Sequence, residues 1–334
     1  MLNIGVIGAG SWGTTLAKLL ADKGNSVTVW SYLSETALEI NEHGANSVFL
    51  PDIKLPDNLK ATTDLESACA DKDLILSISP SHTVRGLIEQ VKDIINENTL
   101  LVSASKGIEN DTLKSMSDVF DEILGVERAK EVTYLSGPSF AHEVSRELPT
   151  AVSAACLNIS TAKKVQEIFS TNFFRVYSCT DVVGVELGGA LKNVIAIAAG
   201  ISDGLGFGHN TRAAIITRGL AEISRLGENM GAQPLTFLGL SGIGDLVLTC
   251  TGDLSRNRSV GLRIGQSEKL DDIIASMKMV AEGVKTSKAV FRLSELKNID
   301  MPIAKEVYLM LYENKAPLES VKDLMGRDLK DEFS

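Results

Sequence analysis

The first 30 residues contain the feature that most constrains the fold. A short apolar run at residues 2–7 ends in the sequence Gly-Ala-Gly-Ser-Trp-Gly at residues 8–13. Residues 14–23 follow with apolar side chains at helical spacing, and residues 26–30 read as a second strand. A strand, a GxGxxG turn, a helix and another strand within about 30 residues form the unit that binds dinucleotides.

Each glycine of this turn has its own physical purpose. Gly8 permits the tight turn, Gly10 lets the backbone approach a pyrophosphate, and Gly13 lets the helix pack closely on the strand. The start of the helix then offers free N–H groups and the positive end of its dipole to phosphates. The predicted cofactor contacts in this turn are Gly8, Gly10, Ser11, Trp12 and Gly13.

The end of the second strand bears on which dinucleotide is bound. An NAD site usually places Asp or Glu there to bind the ribose hydroxyls. This chain has Trp30-Ser31-Tyr32 at that point, and the first acidic residue after the strand is Glu35. The same segment also contains no arginine that could bind a 2′-phosphate. We therefore expect NADP or NAD as cofactor, with a preference for NADPH. Tyr32 is either a surface aromatic or a ring that stacks on the adenine.

Strand and helix patterns alternate up to about residue 180, and helical spacing dominates after it. Strand-like runs recur at 73–79, 99–104, 132–135, 150–155 and 173–177, helical runs lie between them at 36–42, 84–95, 112–124 and 162–170, and 46–58 reads as a loop. Later helices are predicted at 181–200, 211–230, 257–265, 270–276, 283–297, 302–314 and 317–325. The pattern predicts an α/β fold, a Rossmann-type doubly wound, mostly parallel sheet followed by an all-helical C-terminal domain. We expect a dinucleotide-binding domain at 1–180 and a helical substrate-binding and catalytic domain at 181–334.

Charge and composition argue against several classes of protein. A net charge of −10 over 334 residues disfavours binding to nucleic acid or to an anionic membrane, so neither is expected as a partner. The four cysteines form no CxxC pair and the four histidines show no HxxxH spacing, which predicts free thiols and no metal site. Met1 leads straight into a strand pattern without a basic segment, so we expect no signal peptide and a cytoplasmic protein.

The most apolar stretch, residues 183–204, contains a single cation, Lys192. Because the stretch also holds two acidic residues, an asparagine and several glycines, it predicts a buried core helix rather than a membrane span. Gly188 and Gly189 lie one turn before Lys192, so this face leaves room for a ligand or another backbone. Lys192 is either a functional lysine whose pKa is lowered by burial or a lysine that reaches from a core helix to solvent.

Seven stretches in order along the chain resemble one family of enzymes. They are GAGSWGT (8–14), SKGIE (105–109), SGPSFAHEV (136–144), VELGGALKNVIAIAAGISDG (185–204), NTRAAIITRGLAE (210–222), GLSGIGDLVLTCTGDLSRNR (239–258) and AEGVKT (281–286). The chain resembles the bacterial type of NAD(P)-dependent glycerol-3-phosphate dehydrogenase. The resemblance implies reversible hydride transfer between NAD(P)H and dihydroxyacetone phosphate to give sn-glycerol 3-phosphate, which supplies glycerophospholipid synthesis.

The resemblance also implies roles for single residues. Lys192 would be the general acid in reduction and the general base in oxidation, and a nearby Lys106 would lower the pKa of Lys192 further by repulsion. Arg256 and Asn257 would bind the substrate phosphate, and Asp245 would bind the substrate and orient Lys192 through hydrogen bonding. The implied substrate contacts are Lys106, Gly137, Ser139, Lys192, Asp245, Ser255, Arg256 and Asn257, and the implied cofactor contacts beyond the glycine turn are Tyr32, Lys106, Ala141, Arg256, Val280 and Glu282.

Most of these residues also have a purely structural interpretation. Lys106 could be a solvated loop lysine, Asp245 an N-cap for the helix that follows, and 255–258 an exposed basic turn. Pro138, beside Gly137, could simply begin a helix. Residues 280–282 could be an ordinary helix start.

The residues alone also allow two other functions. One is a related dehydrogenase of the 6-phosphogluconate or hydroxyacid type, acting on another small substrate. The other is a dinucleotide sensor without turnover. The apolar helices of the second half are compatible with a homodimer.

Overall fold

Eight strands form a single sheet in the computed structural model, which describes residues 1–277, 281–329 and 331–332. The strands are β1 (Asn3–Ile7), β2 (Ser26–Trp30), β3 (Leu59–Thr62), β4 (Leu74–Ser77), β5 (Leu100–Ser103), β6 (Thr133–Ser136), β7 (Thr150–Ala155) and β8 (Phe174–Cys179). Their order across the sheet is β3-β2-β1-β4-β5-β6-β7-β8. Strands β6 and β7 pair antiparallel and the other neighbours pair in parallel, which confirms the mostly parallel sheet.

Helices cover this sheet, and a second group of helices follows it. The helices of the sheet region are α1 (Ser11–Asp22), α2 (Ser34–His43), α3 (Leu65–Cys69), α4 (Ser81–Val91), α5 (Met116–Leu124), α6 (Val126–Ala129), α7 (Ala141–Ser145) and α8 (Ile159–Phe169). The later ones are α9 (Val182–Gly204), α10 (His209–Asn229), α11 (Pro234–Phe237), α12 (Asp245–Thr251), α13 (Arg256–Gly265), α14 (Leu270–Ser276), α15 (Glu282–Lys297), α16 (Pro302–Tyr312) and α17 (Pro317–Met325). A π-helical turn, Leu240–Gly244, joins α11 to α12. The all-helical second half is confirmed.

The strand order reverses beside β1, and this creates the crevice in which such sheets bind ligands. Ile4 of β1 is the register partner of Val27 in β2 and of Leu74 in β4. The chain builds β1, β2 and β3 in one direction and then crosses to β4 on the other side. The glycine turn follows β1 at the carboxyl edge of the sheet, at the switch point where a dinucleotide is expected.

Several predicted boundaries were wrong, for local reasons. Helix α1 begins at Ser11 rather than at residue 14, because the Gly10 carbonyl already accepts the Thr14 N–H (2.9 Å). Helix α5 begins at Met116 rather than at residue 112. Leu113 has a positive φ of 58°, and Ser115 caps the helix in a capping box with Asp118.

The edge strand β3 was not predicted. It contains only four residues, and it lies at one end of the sheet, where it pairs with β2 alone. Leu59 and Ala61 are buried while Lys60 is exposed, so the alternation is too short to stand out in the sequence. The preceding segment, 46–58, is a loop as predicted, apart from one isolated bridge between Asn46 and Leu50.

Helix α9 is the centre of the helical half. Nearly all of its residues are buried, and α10, α12, α13, α15 and α16 pack around it. It is long and apolar enough to cross a membrane, but 89% of its most apolar window is buried inside the protein, as in a core helix. A second segment that passes the same test, Pro234–Thr251, comprises α11, the π turn and α12.

The change from sheet to helices lies close to the predicted boundary. Strand β8 ends at Cys179, and α9 begins at Val182. Helix α9 also packs on β6 and β7, so the two halves share it. The division into domains at residue 180 stays a prediction.

The four cysteines are free, as predicted. Three of the four are buried, and none of the four forms a disulfide within the described residues. They act as small apolar groups in the cores around them. The members of this set are Cys69, Cys156, Cys179 and Cys250.

Helices α9 and α13 cross so closely that each needs glycine at the crossing. A Cβ at Gly200 would lie 2.0 Å from the Arg258 carbonyl oxygen, and a Cβ at Gly261 would lie 2.1 Å from the Ile197 carbonyl oxygen. Because these contacts are with backbone, no side-chain movement could relieve them. The close crossing holds α13, which begins at Arg256, against the C-terminal half of α9.

Replacing Gly261 by alanine tests this crossing. Gly261→Ala should lower the free energy of unfolding by roughly 1–3 kcal/mol, because the new methyl group must push two helix backbones apart. The matched control is Gly86→Ala in α4, where no heavy atom of the described chain beyond its own helix backbone lies within 4 Å of the added Cβ. That change should stabilise the protein by up to about 1 kcal/mol through helix propensity. Equal unfolding midpoints for the two variants in urea would contradict the close crossing.

Candidate active site

Three charged side chains from different parts of the chain meet at the carboxyl edge of the sheet. Lys106 follows strand β5, Lys192 lies in the middle of α9, and Asp245 is the first residue of α12. Asp245 lies between the two lysines. Its Oδ2 accepts a hydrogen bond from Lys106 Nζ (2.6 Å), and its Oδ1 lies 3.2 Å from Lys192 Nζ. We refer to these three residues as the lysine–aspartate cluster.

Lys192 is buried and tightly held. Its Nζ donates hydrogen bonds to Asn193 Oδ1 (3.1 Å) and to Thr249 Oγ1 (2.8 Å). Its side chain is only 8% exposed, so the interpretation as a lysine that reaches to solvent was wrong. The neighbouring Asp245 balances its charge, which a buried ammonium requires.

The small residues before Lys192 allow the close approach that was predicted for this face. A Cβ at Gly188 would lie 2.3 Å from the Ser241 carbonyl oxygen, so the π turn packs directly on the helix. A Cβ at Gly189 would lie 2.5 Å from Ser136 Oγ and 3.5 Å from Lys106 Cδ. The two glycines therefore admit the segments that carry the other two members of the cluster.

Burial lowers the pKa of Lys192 to about 8. The carboxylate of Asp245 raises it and the ammonium group of Lys106 lowers it, but loss of hydration is the largest of the three effects. The predicted direction, and the predicted contribution of Lys106, are both confirmed. A lysine with this pKa can give up and take back a proton near neutral pH.

Asp245 is not the N-cap of α12. Gly244 occupies that position, and the Asp245 side chain makes no capping hydrogen bond. Its carboxylate instead bridges the two lysines and accepts from Thr249 Oγ1 (3.2 Å). The hydroxyl of Thr249 thus contacts both Asp245 and Lys192.

The turn after β6 contributes a carbonyl to the cluster. Gly137 has a φ of +146°, and a Cβ there would lie 2.9 Å from Val152 Cα, so only glycine fits. The Gly137 carbonyl accepts from Lys106 Nζ (3.3 Å) and from Ser139 Oγ (3.0 Å). Ser139 therefore has its hydrogen directed at this turn. Pro138 does not begin a helix, because α7 begins later, at Ala141.

Of the predicted phosphate contacts, two have structural roles. Ser255 is the N-cap of α13 and accepts from the Arg258 N–H (3.2 Å). Asn257 donates to Asn193 Oδ1 (2.9 Å) and accepts from the Gly283 N–H (2.9 Å), which ties α13 to α9 and α15. Through Asn193, this amide also helps to fix Lys192.

Arg256 has the free charge of this segment. Its side chain is exposed at the start of α13, and it forms no hydrogen bond or ion pair with the part of the chain that the structure describes. The carboxylate of Glu282 attracts this guanidinium electrostatically. Arg258, by contrast, is bound to Asp203 (2.8 Å) and Asp253 (2.9 Å). An anion at this end of the cluster would therefore meet Arg256.

The glycine turn has the geometry of a pyrophosphate site. Gly8 has a φ of +126°, and a Cβ at Gly13 would lie 1.9 Å from the Gly8 carbonyl oxygen. At Gly10, by contrast, no heavy atom of the described residues lies within 4 Å of the position of a Cβ. This open space at the N-terminus of a 12-residue helix fits a dinucleotide phosphate.

The remaining predicted cofactor contacts lie along the same edge. The ring of Trp12 packs against Phe174 (centroids 6.3 Å apart). The hydroxyl of Ser11 donates to the Phe49 carbonyl (2.5 Å). Tyr32 is 85% exposed beyond β2, where a stacking ring would be accessible. Ala141 begins α7, and its carbonyl accepts from Thr15 Oγ1 of α1 (3.2 Å).

Glu282 connects the cofactor edge to the helical half. It is the first residue of α15, and its Oε2 accepts from Ser81 Oγ (2.9 Å) at the start of α4. Burial raises the pKa of Glu282. Val280, which was also predicted to contact the cofactor, lies outside the described residues.

Two side chains of this site were not predicted, Asn193 and Thr249. Asn193 is the neighbour of Lys192 in the stretch GALKN, and Thr249 lies four residues after Asp245, one helical turn away. The i,i+4 spacing could have indicated Thr249, but the contact with Lys192 depends on how α12 packs on α9. Within the described part of the chain, no group of three His, Cys, Asp or Glu residues could hold a metal ion.

Comparisons with known proteins agree with the resemblance. The family models for the N-terminus and the C-terminus of NAD-dependent glycerol-3-phosphate dehydrogenase match residues 3–162 and 181–322. The chain is 57% identical to glycerol-3-phosphate dehydrogenase [NAD(P)+] of Citrifermentans bemidjiense over 98% of both chains. It is 56% identical to the enzyme of that name from Leptospira biflexa over 99% of both. A crystal structure of glycerol-3-phosphate dehydrogenase from Coxiella burnetii superimposes with a TM-score of 0.93 at 39% identity, covering 98% of this chain and 99% of that one.

Alanine at position 10 tests the pyrophosphate site. Gly10→Ala should leave the thermal unfolding midpoint unchanged, because the added methyl group meets open space. It should weaken NADPH binding by about tenfold or more, because the methyl group occupies the space that the phosphates need. The control is Gly208→Ala, another glycine with open space within the described chain and a negative φ at a helix N-cap. Calorimetric titration that finds the same NADPH affinity in both variants would exclude the site.

Proposed function

The chain belongs to the NAD-dependent glycerol-3-phosphate dehydrogenase family, and we propose that it transfers a hydride reversibly between NAD(P)H and dihydroxyacetone phosphate to give sn-glycerol 3-phosphate. The observation that carries this proposal is the lysine–aspartate cluster beside the dinucleotide turn. The bound nicotinamide supplies or accepts the hydride. The protein must position the ketone, stabilise the oxygen that becomes negative, and move one proton.

Lys192 is the group that moves the proton. In reduction, hydride addition to the ketone carbon breaks the C=O π bond, and the oxygen takes a proton from Lys192 Nζ to become the hydroxyl. In oxidation, neutral Lys192 takes that proton back. The ammonium group has three partners, Asn193, Thr249 and Asp245, so the substrate oxygen would take the place of one of them. Asp245 keeps the ammonium group in place.

Lys106 and Arg256 account for the choice of a phosphorylated substrate. Two lysines share one carboxylate in the cluster, so it keeps a net positive charge. Arg256 adds a guanidinium without a partner in the described chain, and a guanidinium matches two phosphate oxygens. Ser255 and Asn257 support this site by holding the start of α13, although the resemblance implies direct contacts. Gly137 and Ser139 border the position of Lys106.

Four further features of the function follow from separate observations. The absence of an acidic residue after β2 supports a preference for NADPH over NADH. Two exposed leucines, Leu235 on α11 and Leu238 just after it, support a homodimer. A cytoplasmic location fits the four free cysteines. There the product would supply the backbone of glycerophospholipids. Membership of a dehydrogenase family favours this enzyme over a sensor without turnover.

Replacing Lys192 tests the proton transfer. Lys192→Met keeps much of the side-chain volume but removes the proton donor, so kcat for reduction should fall by about 10²–10⁴-fold. Affinity for NADPH should stay within about twofold, because the glycine turn is untouched. Lys297→Met, at an exposed position on α15, is the control and should keep wild-type kcat. Near-normal turnover in Lys192→Met, followed at the absorbance band of NADPH, would refute the assignment.

Arg256→Ala tests phosphate recognition. The KM for dihydroxyacetone phosphate should rise about 10–100-fold, because a charge-assisted contact is lost, while kcat changes less. Unphosphorylated dihydroxyacetone should be reduced equally well by the variant and the wild type. Arg175→Ala, at an exposed arginine on β8, serves as control. An unchanged KM for the phosphorylated ketone would remove Arg256 from the phosphate site.

A further inference from the structure

Three buried hydroxyl groups lie together behind Lys106 and have no role in the proposed reaction. Ser103 of β5 and Tyr134 of β6 are register partners in neighbouring parallel strands, so their side chains lie on the same face of the sheet. Ser136 follows two residues later on β6, on that face as well. The three residues are 1%, 4% and 5% exposed.

None of these three hydroxyls has a hydrogen-bond partner among the residues that the structure describes. A buried polar group without a partner is costly, and proteins rarely tolerate several side by side. The phenol of Tyr134 also packs edge-on against Phe120 (77° between the rings), so its position is fixed. The described residues therefore leave three neighbouring hydroxyls in need of a partner.

A small cavity joins them. Its volume is about 10 Å³, and Ser103, Tyr134 and Ser136 line it together with Lys106 and Glu186. This volume is close to what one water molecule needs, and a buried water requires two to four polar partners. Polar cavities of this size are hydrated, whereas empty cavities are apolar. We call this space the hydroxyl cavity.

Glu186 provides a further polar wall. Its carboxyl group accepts from the Ser117 N–H (3.0 Å) and from Ser117 Oγ (2.5 Å) at the start of α5. Burial raises the pKa of Glu186 to about 8. At neutral pH this group is therefore mainly a carboxylic acid, which can donate as well as accept one hydrogen bond.

The geometry points to a specific site for one ordered water molecule in the hydroxyl cavity, bridging Ser103, Tyr134 and Ser136 to Glu186 and fixing the stem of Lys106. Ser136 Oγ and Lys106 Cδ both lie against Gly189 of α9, at 2.5 and 3.5 Å from the position of its absent Cβ. Ser136 and the stem of Lys106 are thus packed at one point of the helix. By holding Ser136 in place, the water would also keep the Lys106 side chain within reach of Asp245.

Serine-to-alanine substitutions distinguish a cavity that holds a water molecule from an empty one, in which the hydroxyls have no hydrogen-bond partner. Ser103→Ala should lower the thermal unfolding midpoint by roughly 2 °C, because the water loses a partner. Ser320→Ala in α17 is the matched control, since Ser320 is also 1% exposed and its hydroxyl also has no partner in the described chain. Removing a hydroxyl that truly lacks a partner should leave the midpoint unchanged or raise it. If both variants behave alike, the water site is wrong.

A crystal structure of the wild-type protein at about 1.5 Å resolution gives the direct test. Density for one water within hydrogen-bond distance of Tyr134 and Ser136 is expected, and its absence would overturn the site. The positioning of Lys106 rests on the proposed function and needs a separate readout. Tyr134→Phe should lower kcat/KM for dihydroxyacetone phosphate by roughly three- to tenfold while the Kd for NADPH stays unchanged. An unchanged kcat/KM in a variant whose midpoint has fallen would overturn the link to Lys106 and leave the proposed enzyme function intact.

Discussion

The candidate active site depends on one carboxylate held between two ammonium groups. Asp245 contacts Lys106 at 2.6 Å and Lys192 at 3.2 Å, and it is almost completely buried. A buried charge is tolerated only when it is paired and hydrogen-bonded. The pairing joins a loop of the sheet, the central helix α9 and the start of α12, so the site forms only when the two halves of the chain are packed together.

Helix α9 makes this arrangement possible because it has almost no bulky side chains where its neighbours cross it. Gly188 and Gly189 admit the π turn and the stem of Lys106, while Gly200 admits α13. Each close approach brings a functional group to the helix: Asp245 from one side and Arg256 from another. The same packing removes water from Lys192, and this is the main reason why its pKa is low. The scaffold of the candidate site and the proposed proton donor, Lys192, are therefore parts of one helix.

Much of the fold follows from local patterns in the sequence. The turn around Gly8 and Gly10 lies between a strand and a helix, as its spacing predicts, and the buried helix around Lys192 is as long as its apolar run. The short edge strand β3 escaped prediction, because four residues with two buried positions give little periodicity. Local patterns also misplaced the start of α5, where Leu113 has a positive φ and Ser115 caps the helix.

The site is less accessible to sequence reasoning, because its contacts join residues far apart in the chain. From the sequence alone, Asp245 looked like a helix cap, and the resemblance implied that it orients Lys192. The packing of α12 on α9 shows that it bridges Lys192 and Lys106. Asn257 was assigned to the phosphate by resemblance, yet its amide is engaged with Asn193 and Gly283. Arg256, its neighbour, has no such partner in the described chain. A motif shows which segment is functional, but packing decides which side chain in it is free to bind.

The central claim is that burial and Asp245 together set the protonation of Lys192. The most direct measurement is the pH dependence of kcat/KM for ketone reduction in the wild type and in Asp245→Asn. Reduction needs protonated Lys192, so the wild-type rate should fall as the pH rises through about 8. The midpoint should move to lower pH in the variant, because the carboxylate that raises the pKa is gone while the burial that lowers it remains. A wild-type midpoint near the ordinary lysine value of about 10.4, or a midpoint that the substitution does not move, would contradict this account.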